Sequence, residues 1–368
     1  MKFSCERTML LNEVVIAQEV IASRSAFSIL SNVYLEANED ALLIKATDLK
    51  IGFETTIAVD VSTPGSTTVY CDKFLSILRS LPEGEIEFEQ RDDGILSITP
   101  VFKRIDFELK SISPDKYPEL QRIPDENYFE FPQGELVDMI SKTVFAVSDD
   151  ETRYYMNGAY LEKIQEELIM VTTDGRRLSF VSKKTVTTVE NIKGIIIPPK
   201  VLHLLRKLSL GEGNLLLSIT EKNIFIKFSN HKLSSTLIDG EFPNYQRVIP
   251  ESNTNKIIVK KDLFDKALRR ISLLVEQKSR KIILNASEQK LVVFAEESDI
   301  GKASEEIECD YDGPDASLAL NYVYLLDPLR EMEAESLSIE FTEVNKAVTL
   351  KPFPEEDYLH IVMPMQTS

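Results

Sequence analysis

Short β-type apolar runs fill most of this chain, and six runs with helical spacing interrupt them. The first, 8–22, sets Leu10, Leu11, Val14, Val15 and Ile21 along one face and predicts a helix. Further helices are predicted over 72–81, 134–146, 199–208, 261–274 and 322–332, the fourth opening on a proline, which suits a first helical turn. Strands are predicted around them: 1–5, 30–36, 41–48, 51–59, 67–71, 86–90, 96–99 and 104–109 in the first third. The middle third gives 128–131, 159–161, 168–172, 194–197, 215–219, 223–228 and 233–237. The last gives 256–259, 281–285, 291–295, 303–309, 316–319, 337–341 and 347–350, with an apolar tail over 358–365.

One helix and about four strands thus recur six times, in three pairs of about 120 residues each. The pairs close on related tails, Tyr117-Pro118 and Phe242-Pro243-Asn244-Tyr245, and polar, Pro-bearing stretches near 122–126 and 250–255 separate them. The expected fold is α+β: three tandem similar domains, 1–124, 125–254 and 255–368, each with two helices packed on antiparallel sheets. Domains that place their helices alike, joined head to tail, close into a ring with helices inside if the contact closes.

The stretch 153–180 carries the densest chemistry. Arg153, Tyr154, Tyr155, Met156, Asn157 and Gly158 precede two β runs, and Thr173-Asp174-Gly175-Arg176-Arg177-Leu178 then makes an Asp-Gly turn that delivers two arginines beside apolar residues. Taken alone it is either a hairpin with solvated arginines or a surface with charge at one end and an apolar pocket at the other.

Composition narrows the function. With 368 residues, 43% hydrophobic content and 13 glycines, the chain has material for several packed cores. A net charge of −18 argues against a generally basic surface but leaves room for a local positive lining. Cys5, Cys71 and Cys309 are too few and scattered for a disulfide framework or a zinc site, and are expected to be buried in a reducing cytoplasm. No signal-peptide pattern and no apolar run near the roughly 20 residues of a membrane span are present, so a soluble cytoplasmic protein without a membrane partner is expected.

Enzyme motifs are missing. There is no phosphate-binding glycine loop, no G-x-S-x-G elbow and no H-E-x-x-H, and His203, His231 and His360 stand far apart. The cluster Asp149-Asp150-Glu151 offers the alternative reading, a metal-dependent phosphoesterase, against which stands a solvated turn between helix and strand. No catalytic residue, metal or cofactor is otherwise indicated.

The three repeats, the segments at 153–158 and 173–178, the Phe242-Pro243 tail and the terminal Met363-Pro364-Met365 resemble the bacterial DNA polymerase III β subunits, the replicative sliding clamps. The resemblance covers the whole chain. It implies a ring-shaped head-to-tail homodimer around double-stranded DNA, held without regard to sequence. It also implies a non-catalytic accessory role. The partners it implies are the polymerase α subunit, the clamp loader and other proteins that carry a clamp-binding motif.

On these residues the resemblance implies weak electrostatic DNA contacts. Helix cations Lys73, Arg79, Lys200, Arg206, Lys207, Arg269 and Arg270 are candidates, with Lys142, Lys266 and Arg330. By family match, Arg24 and the loop 150–155, with Arg153 and Tyr154, touch DNA. The first helix, read over 8–22, brings Glu13 and Glu19 but no cation.

A partner-peptide cleft is implied between the second and third domains. Its floor is carried over to Met156, Thr173, Gly175, Leu178, Pro243 and Val248, with the tail residues Ile361, Val362, Met363, Pro364 and Met365. Its polar edge is carried over to Arg176, Arg177, Arg247, Asn321 and Tyr324. Ser279 stands where the family can place an aromatic, and the chain ends Gln366-Thr367-Ser368 where a short basic-apolar tail is usual; altered partner preference follows. Ring closure is implied between Phe107 and Leu109 on one copy and Leu273 and Leu274 on the other, with Glu305 and Glu306 facing Lys103 and Arg104.

Overall fold

The computed structural model describes residues 1–21, 29–121, 127–184, 192–209, 211–298 and 301–366. The first third runs β1 (Lys2–Glu6), α1 (Arg7–Val20), β2 (Asn32–Asn38), β3 (Ala41–Thr47), β4 (Ile51–Ala58), β5 (Asp60–Thr63), β6 (Gly65–Tyr70), α2 (Cys71–Ser80), β7 (Glu85–Gln90), β8 (Ile95–Pro100) and β9 (Phe107–Ile112). The middle runs β10 (Phe129–Pro132), α3 (Gln133–Thr143), β11 (Ala159–Ile164), β12 (Glu167–Thr173), β13 (Arg177–Lys184), β14 (Ile192–Ile197), α4 (Pro199–Leu208), β15 (Asn214–Ile219), β16 (Asn223–Phe228) and β17 (His231–Thr236). The last runs β18 (Asn255–Lys260), α5 (Lys261–Ile271), β19 (Lys281–Ser287), β20 (Lys290–Ser298), β21 (Gly301–Asp310), β22 (Ala316–Asn321), α6 (Tyr322–Glu331), β23 (Ser336–Phe341), β24 (Val348–Phe353) and β25 (Tyr358–Val362). Six helices among antiparallel strands make the α+β class plain.

The chain gathers into two compact units, residues 1–133 with 203–237, and residues 134–202 with 238–368. Each owns one antiparallel sheet. The first has thirteen strands in the order β10-β15-β16-β17-β4-β3-β2-β6-β9-β8-β7-β1-β5. The second has twelve, in the order β14-β11-β12-β13-β25-β24-β23-β18-β21-β20-β19-β22. The units cut across the expected thirds because the ladders do. β17 pairs with β4 of the first third, Leu233 opposite Phe53, while β13 pairs with β25 of the last, Leu178 opposite Ile361.

In the first unit α1 packs on α2, β3 and β4 through Leu10, Val14 and Ala17, all fully buried at one-turn spacing. Leu42, Ile44 and Ala46 answer from alternate positions of β3. Phe3 stacks on Phe88 at 4.8 Å between centroids, with Phe74 of α2 edge-on to Phe88 at 6.0 Å. Each of these fully buried leucine, valine, isoleucine and phenylalanine side chains contributes about 1.5–3 kcal/mol. Glu13 reaches His231 Nε2 at 3.0 Å and so ties α1 to β17. In the second unit α5 repeats the device, laying Phe264, Ala267, Leu268 and Ile271 against α6, β20 and β21.

Four expectations are corrected. The first helix starts at Arg7 and so does carry a cation, but the guanidinium donates to the carbonyls of Leu78 and Leu81 at 3.4 and 3.2 Å, closing the end of α2. The strand expected over 104–109 lies at Phe107–Ile112, because residues after Pro100 first complete a turn in which Ile105 N–H donates to Lys103 O; the ladder begins at Phe107 opposite Ile98. β5 was not expected: it is largely exposed and held by its register with β1, Val61 opposite Phe3. Cys5 and Cys71 are buried, their thiols pushed up to about 12 by burial, but Cys309 is only half-buried. Among the described residues no helix is long and apolar enough to cross a membrane.

Candidate functional site

The turn between β12 and β13 is built by its own side chains. Gly175 sits at φ 83°, where a Cβ is strained. Asp174 Oδ1 accepts from the N–H groups of Arg176 and Arg177 at 2.8 and 2.9 Å, and Thr173 Oγ1 accepts from Gly175 N–H at 3.0 Å. The bare glycine also lets Arg153 lie close, since a Cβ there would fall 2.8 Å from Nη1. From this turn β13 runs beside β25, and Met363 N–H continues the ladder by donating to Arg176 O at 2.9 Å. Met365 N–H then donates to Ala319 O at 2.8 Å, so the tail is laid from the turn across to β22.

Beneath the tail opens a cavity of about 640 Å³, lined by Arg176, Lys278, Ser279, Arg280, Asn321, Tyr324, Met363, Pro364, Met365 and Gln366. Six of these were expected from sequence. Ser279 and Gln366 stand there as the departures that the sequence shows, while Lys278 and Arg280 were not expected; the Lys-Ser-Arg run between α5 and β19 was the available signal.

Several residues expected on the floor are instead core. Leu178 and Ile361 belong to a buried cluster with Ile169, Val171, Ile196, Phe242 and Tyr245. Met156, Thr173 and Val362 are buried too. None of these residues is in the lining of this cavity. Pro243 is half-buried, and Gly175, Arg247 and Val248 are exposed outside the lining.

Arg177, expected as a polar edge, is nearly buried. Its guanidinium donates to Asp327 at 2.7 Å, Asp174 at 3.1 Å and Phe145 O at 2.6 Å, and stacks over the Tyr324 ring at 4.5 Å. It therefore fixes the hairpin turn to α6 and leaves Arg176 as the one of the turn's two arginines that lines the cavity. Asn321 is spent likewise, its side chain accepting from Val323 N–H at 3.0 Å to cap α6. Within the tail strand, His360 is fully buried, and burial first, then the charge of Arg177, hold its imidazole down at about 3.

The candidate DNA-facing cations are mostly engaged. Lys207 pairs with Glu19, Arg269 with Asp265 at 2.6 Å, Arg153 with Asp150 at 3.0 Å and Lys73 with Asp72 at 3.7 Å. Arg270 Nε donates to Glu305 at 2.8 Å. Lys142 is buried against Asp138 at 2.9 Å and is withdrawn from solvent. Arg79 and Arg206 are exposed, with no carboxylate in ion-pairing range among the described residues; Tyr154 is exposed as well. Lys200 is half-buried at the start of α4, and Arg24 lies outside the described residues.

The acidic cluster reads as a turn. Asp150 accepts from Thr152 N–H at 3.0 Å, Thr152 Oγ1 at 2.6 Å and Arg153, and these bonds hold its carboxyl below the ordinary range, those from Thr152 most. No group of three or more metal-ligating side chains occurs among the described residues. At the residues expected to join two copies, Phe107 and Leu109 are half-buried on β9, while Leu273 is 79% exposed beside the half-buried Leu274. Glu305 and Glu306, expected to face Lys103 and Arg104, already pair within the chain, Glu306 with Lys290 at 3.0 Å.

Comparison with known proteins identifies the family. Family models of the N-terminal, central and C-terminal domains of the DNA polymerase III beta subunit match residues 1–121, 130–244 and 246–366. The beta sliding clamp of Treponema pallidum (strain Nichols) is 40% identical over 371 residues, and that of Escherichia coli (strain K12) 30% over 369, with 100% of each chain covered in both cases. Among solved structures, the DNA polymerase sliding clamp from Bacillus subtilis matches with a TM-score of 0.93 at 27% identity. The clamp from Pseudomonas aeruginosa bound to griselimycin matches with 0.94 at 27%, and both cover 100% of each chain. Three consecutive domain matches and end-to-end relatives agree: the chain belongs to the DNA polymerase III beta subunit family, the beta sliding clamps.

Proposed function

We infer that this sliding clamp, a processivity factor with no catalytic chemistry of its own, works as a closed ring of two copies joined head to tail around duplex DNA in the bacterial cytoplasm. The consecutive match of three domain models along one chain carries the reading. It also supports the division at 1–124, 125–254 and 255–368. A tether that must slide needs topology in place of tight binding, so DNA contacts from Arg24, Lys73, Arg79, Arg153, Tyr154, Lys200, Arg206, Lys207, Arg269 and Arg270 stay electrostatic and blind to sequence. The cavity beneath Met363, Pro364 and Met365 takes peptide segments of the polymerase α subunit, the clamp loader and other partners, the flexible methionines repacking around each.

Phe107 and Leu109 of one copy meet Leu273 and Leu274 of the other; the high exposure of Leu273 in a single chain supports this. Native mass with negative-stain microscopy tests the ring. A particle with a central hole, at twice the 41.8 kDa of one chain, is expected, and the double change Leu273→Ala, Leu274→Ala should give monomers. A holeless particle would overturn the ring, and a dimer that survives the double change would overturn this placement of its seam.

A further inference from the structure

We propose that His203 is a further DNA contact of this clamp, one that takes a backbone phosphate only as the imidazolium, so that gripping duplex draws a proton from solution at this position. The inference rests on the reading of α4 as a helix that faces DNA and goes beyond it by adding a titratable contact.

The helix places the residue. α4 buries Val201, Leu202, Leu204 and Leu205 and turns His203, Arg206 and Lys207 outward, all three exposed. At about 100° per residue, His203 falls between Arg206 and Lys207 around the helix, three and four positions before them, so the three side chains share one strip. Lys200, half-buried, stands one turn earlier on the same side. A phosphate that approaches Arg206 and Lys207 meets the imidazole between them.

Nothing on the chain satisfies this ring. Among the described residues His203 makes no hydrogen bond and has no carboxylate in ion-pairing range. The charged groups around it are the cations of its own helix and, from α1, Glu19, which is taken by Lys207. Ser209, just past the end of α4, donates to Gln133 at 2.8 Å, a partner without charge. The other two histidines are placed otherwise: His231 Nε2 lies 3.0 Å from Glu13, and His360 is fully buried.

These surroundings set the direction of titration. Neighbouring side chains screen part of the ring from water, and this first, then the charge of Arg206, hold the imidazole below its ordinary 6.5. At neutral pH the free chain therefore carries it uncharged, which spares the strip a third positive charge. An arriving phosphate offsets the Arg206 charge and accepts an N–H bond, and both favour the imidazolium. A group whose pKa is higher in the complex than in the free chain takes up a proton on binding. Affinity then rises as pH falls, and the gain levels off below the free-chain pKa.

The test uses the full chain and a short labelled duplex, with fluorescence anisotropy from about pH 8 to about pH 5.5. The parent should bind about three- to tenfold more tightly at the acid end, with a slope of log K against log salt steeper there by about one. His203→Gln should lose most of that rise and the steepening. His203→Lys, charged throughout, should bind at the alkaline end much as the parent does at the acid end. His231 and His360 remain in both variants, so their titration is common to all three proteins. An equal rise in the parent and His203→Gln would overturn the contact while leaving the DNA reading of α4 intact, and so would a His203→Lys variant no tighter than His203→Gln. Failure of the parent to bind duplex at any pH, even at low salt, would instead overturn the DNA reading and the contact with it.

Discussion

At the scale of single residues, the tail strand is held by groups that titrate poorly. His360 lies opposite Ser179 in the β13–β25 ladder, fully buried, with the Phe145 ring at 5.6 Å. Its imidazole is held down at about 3 against an ordinary 6.5, by burial first and by the Arg177 charge next. A folded-state pKa below the unfolded one means that the unfolded chain binds the proton more readily. The stability this histidine allows is therefore fully present above about 6.5 and is lost as pH falls from there toward 3. The slope is about 1.4 kcal/mol per pH unit, which gives about 2 kcal/mol between pH 7 and 5. Urea unfolding across that window should show the loss, and His360→Phe should flatten it whatever its own stability. An unchanged slope in the variant would place the titration elsewhere, His203 being the other histidine whose pKa burial lowers. None of this was legible in sequence. The burial of Arg177 depends on Asp327, 150 positions away, and the burial of His360 depends on a ladder between distant segments.

At the scale of elements, the first helix was readable because Leu10, Val14 and Ile21 of its expected stripe are buried, although Leu11 and Val15 are only half-buried and Ala17 takes a place in the core that the stripe left out. The turn at Thr173 to Arg177 was readable for the same kind of local reason, since Asp174 and Gly175 supply its bonds and its φ. β5 was not, because its half-exposed Asp-Val-Ser-Thr run is a strand only by virtue of β1 beside it. The cavity lining at Lys278 and Arg280 was not legible for a like reason: a short loop between helix and strand becomes part of a cavity only because the distant Met363, Pro364 and Met365 line it too. α6 shows how an element end serves the site. Asn321 caps it, and Tyr324 in its first turn lines the cavity under the stacked Arg177. Asn321→Ala should cost about 1 kcal/mol and speed amide exchange at 323–325 about fivefold, with weaker peptide binding. Asn321→Asp keeps an acceptor at the helix start and should restore protection. Unaltered exchange in the alanine variant would show that α6 holds its first turn without the cap.

At the scale of the whole molecule, charge sets how this clamp holds DNA. The chain carries a net charge of −18, and a DNA-encircling protein with that excess needs its cations placed and moderated. Moderation is visible as ion pairs. Lys207 with Glu19, Arg269 with Asp265, Arg270 with Glu305, Arg153 with Asp150 and Lys73 with Asp72 each bind a carboxylate of their own chain. Nine independent phosphate contacts from the proposed cations would give a slope of log K against log salt of about −8. A cation that must leave a carboxylate to reach a phosphate frees an anion, and that anion takes up a salt cation in turn. Its net ion release is then close to zero, and the slope is clearly shallower than the count of cations implies. Anisotropy of a short labelled duplex over a salt series measures it directly. Glu19→Gln frees Lys207 and should steepen the slope by about one while raising low-salt affinity severalfold. A parent slope near −8, or a variant slope that does not move, would mean that these carboxylates stay clear of the DNA contact. A shallow parent slope that steepens on removing one carboxylate would mean that the clamp's hold on DNA is deliberately weakened from within, as a sliding tether requires.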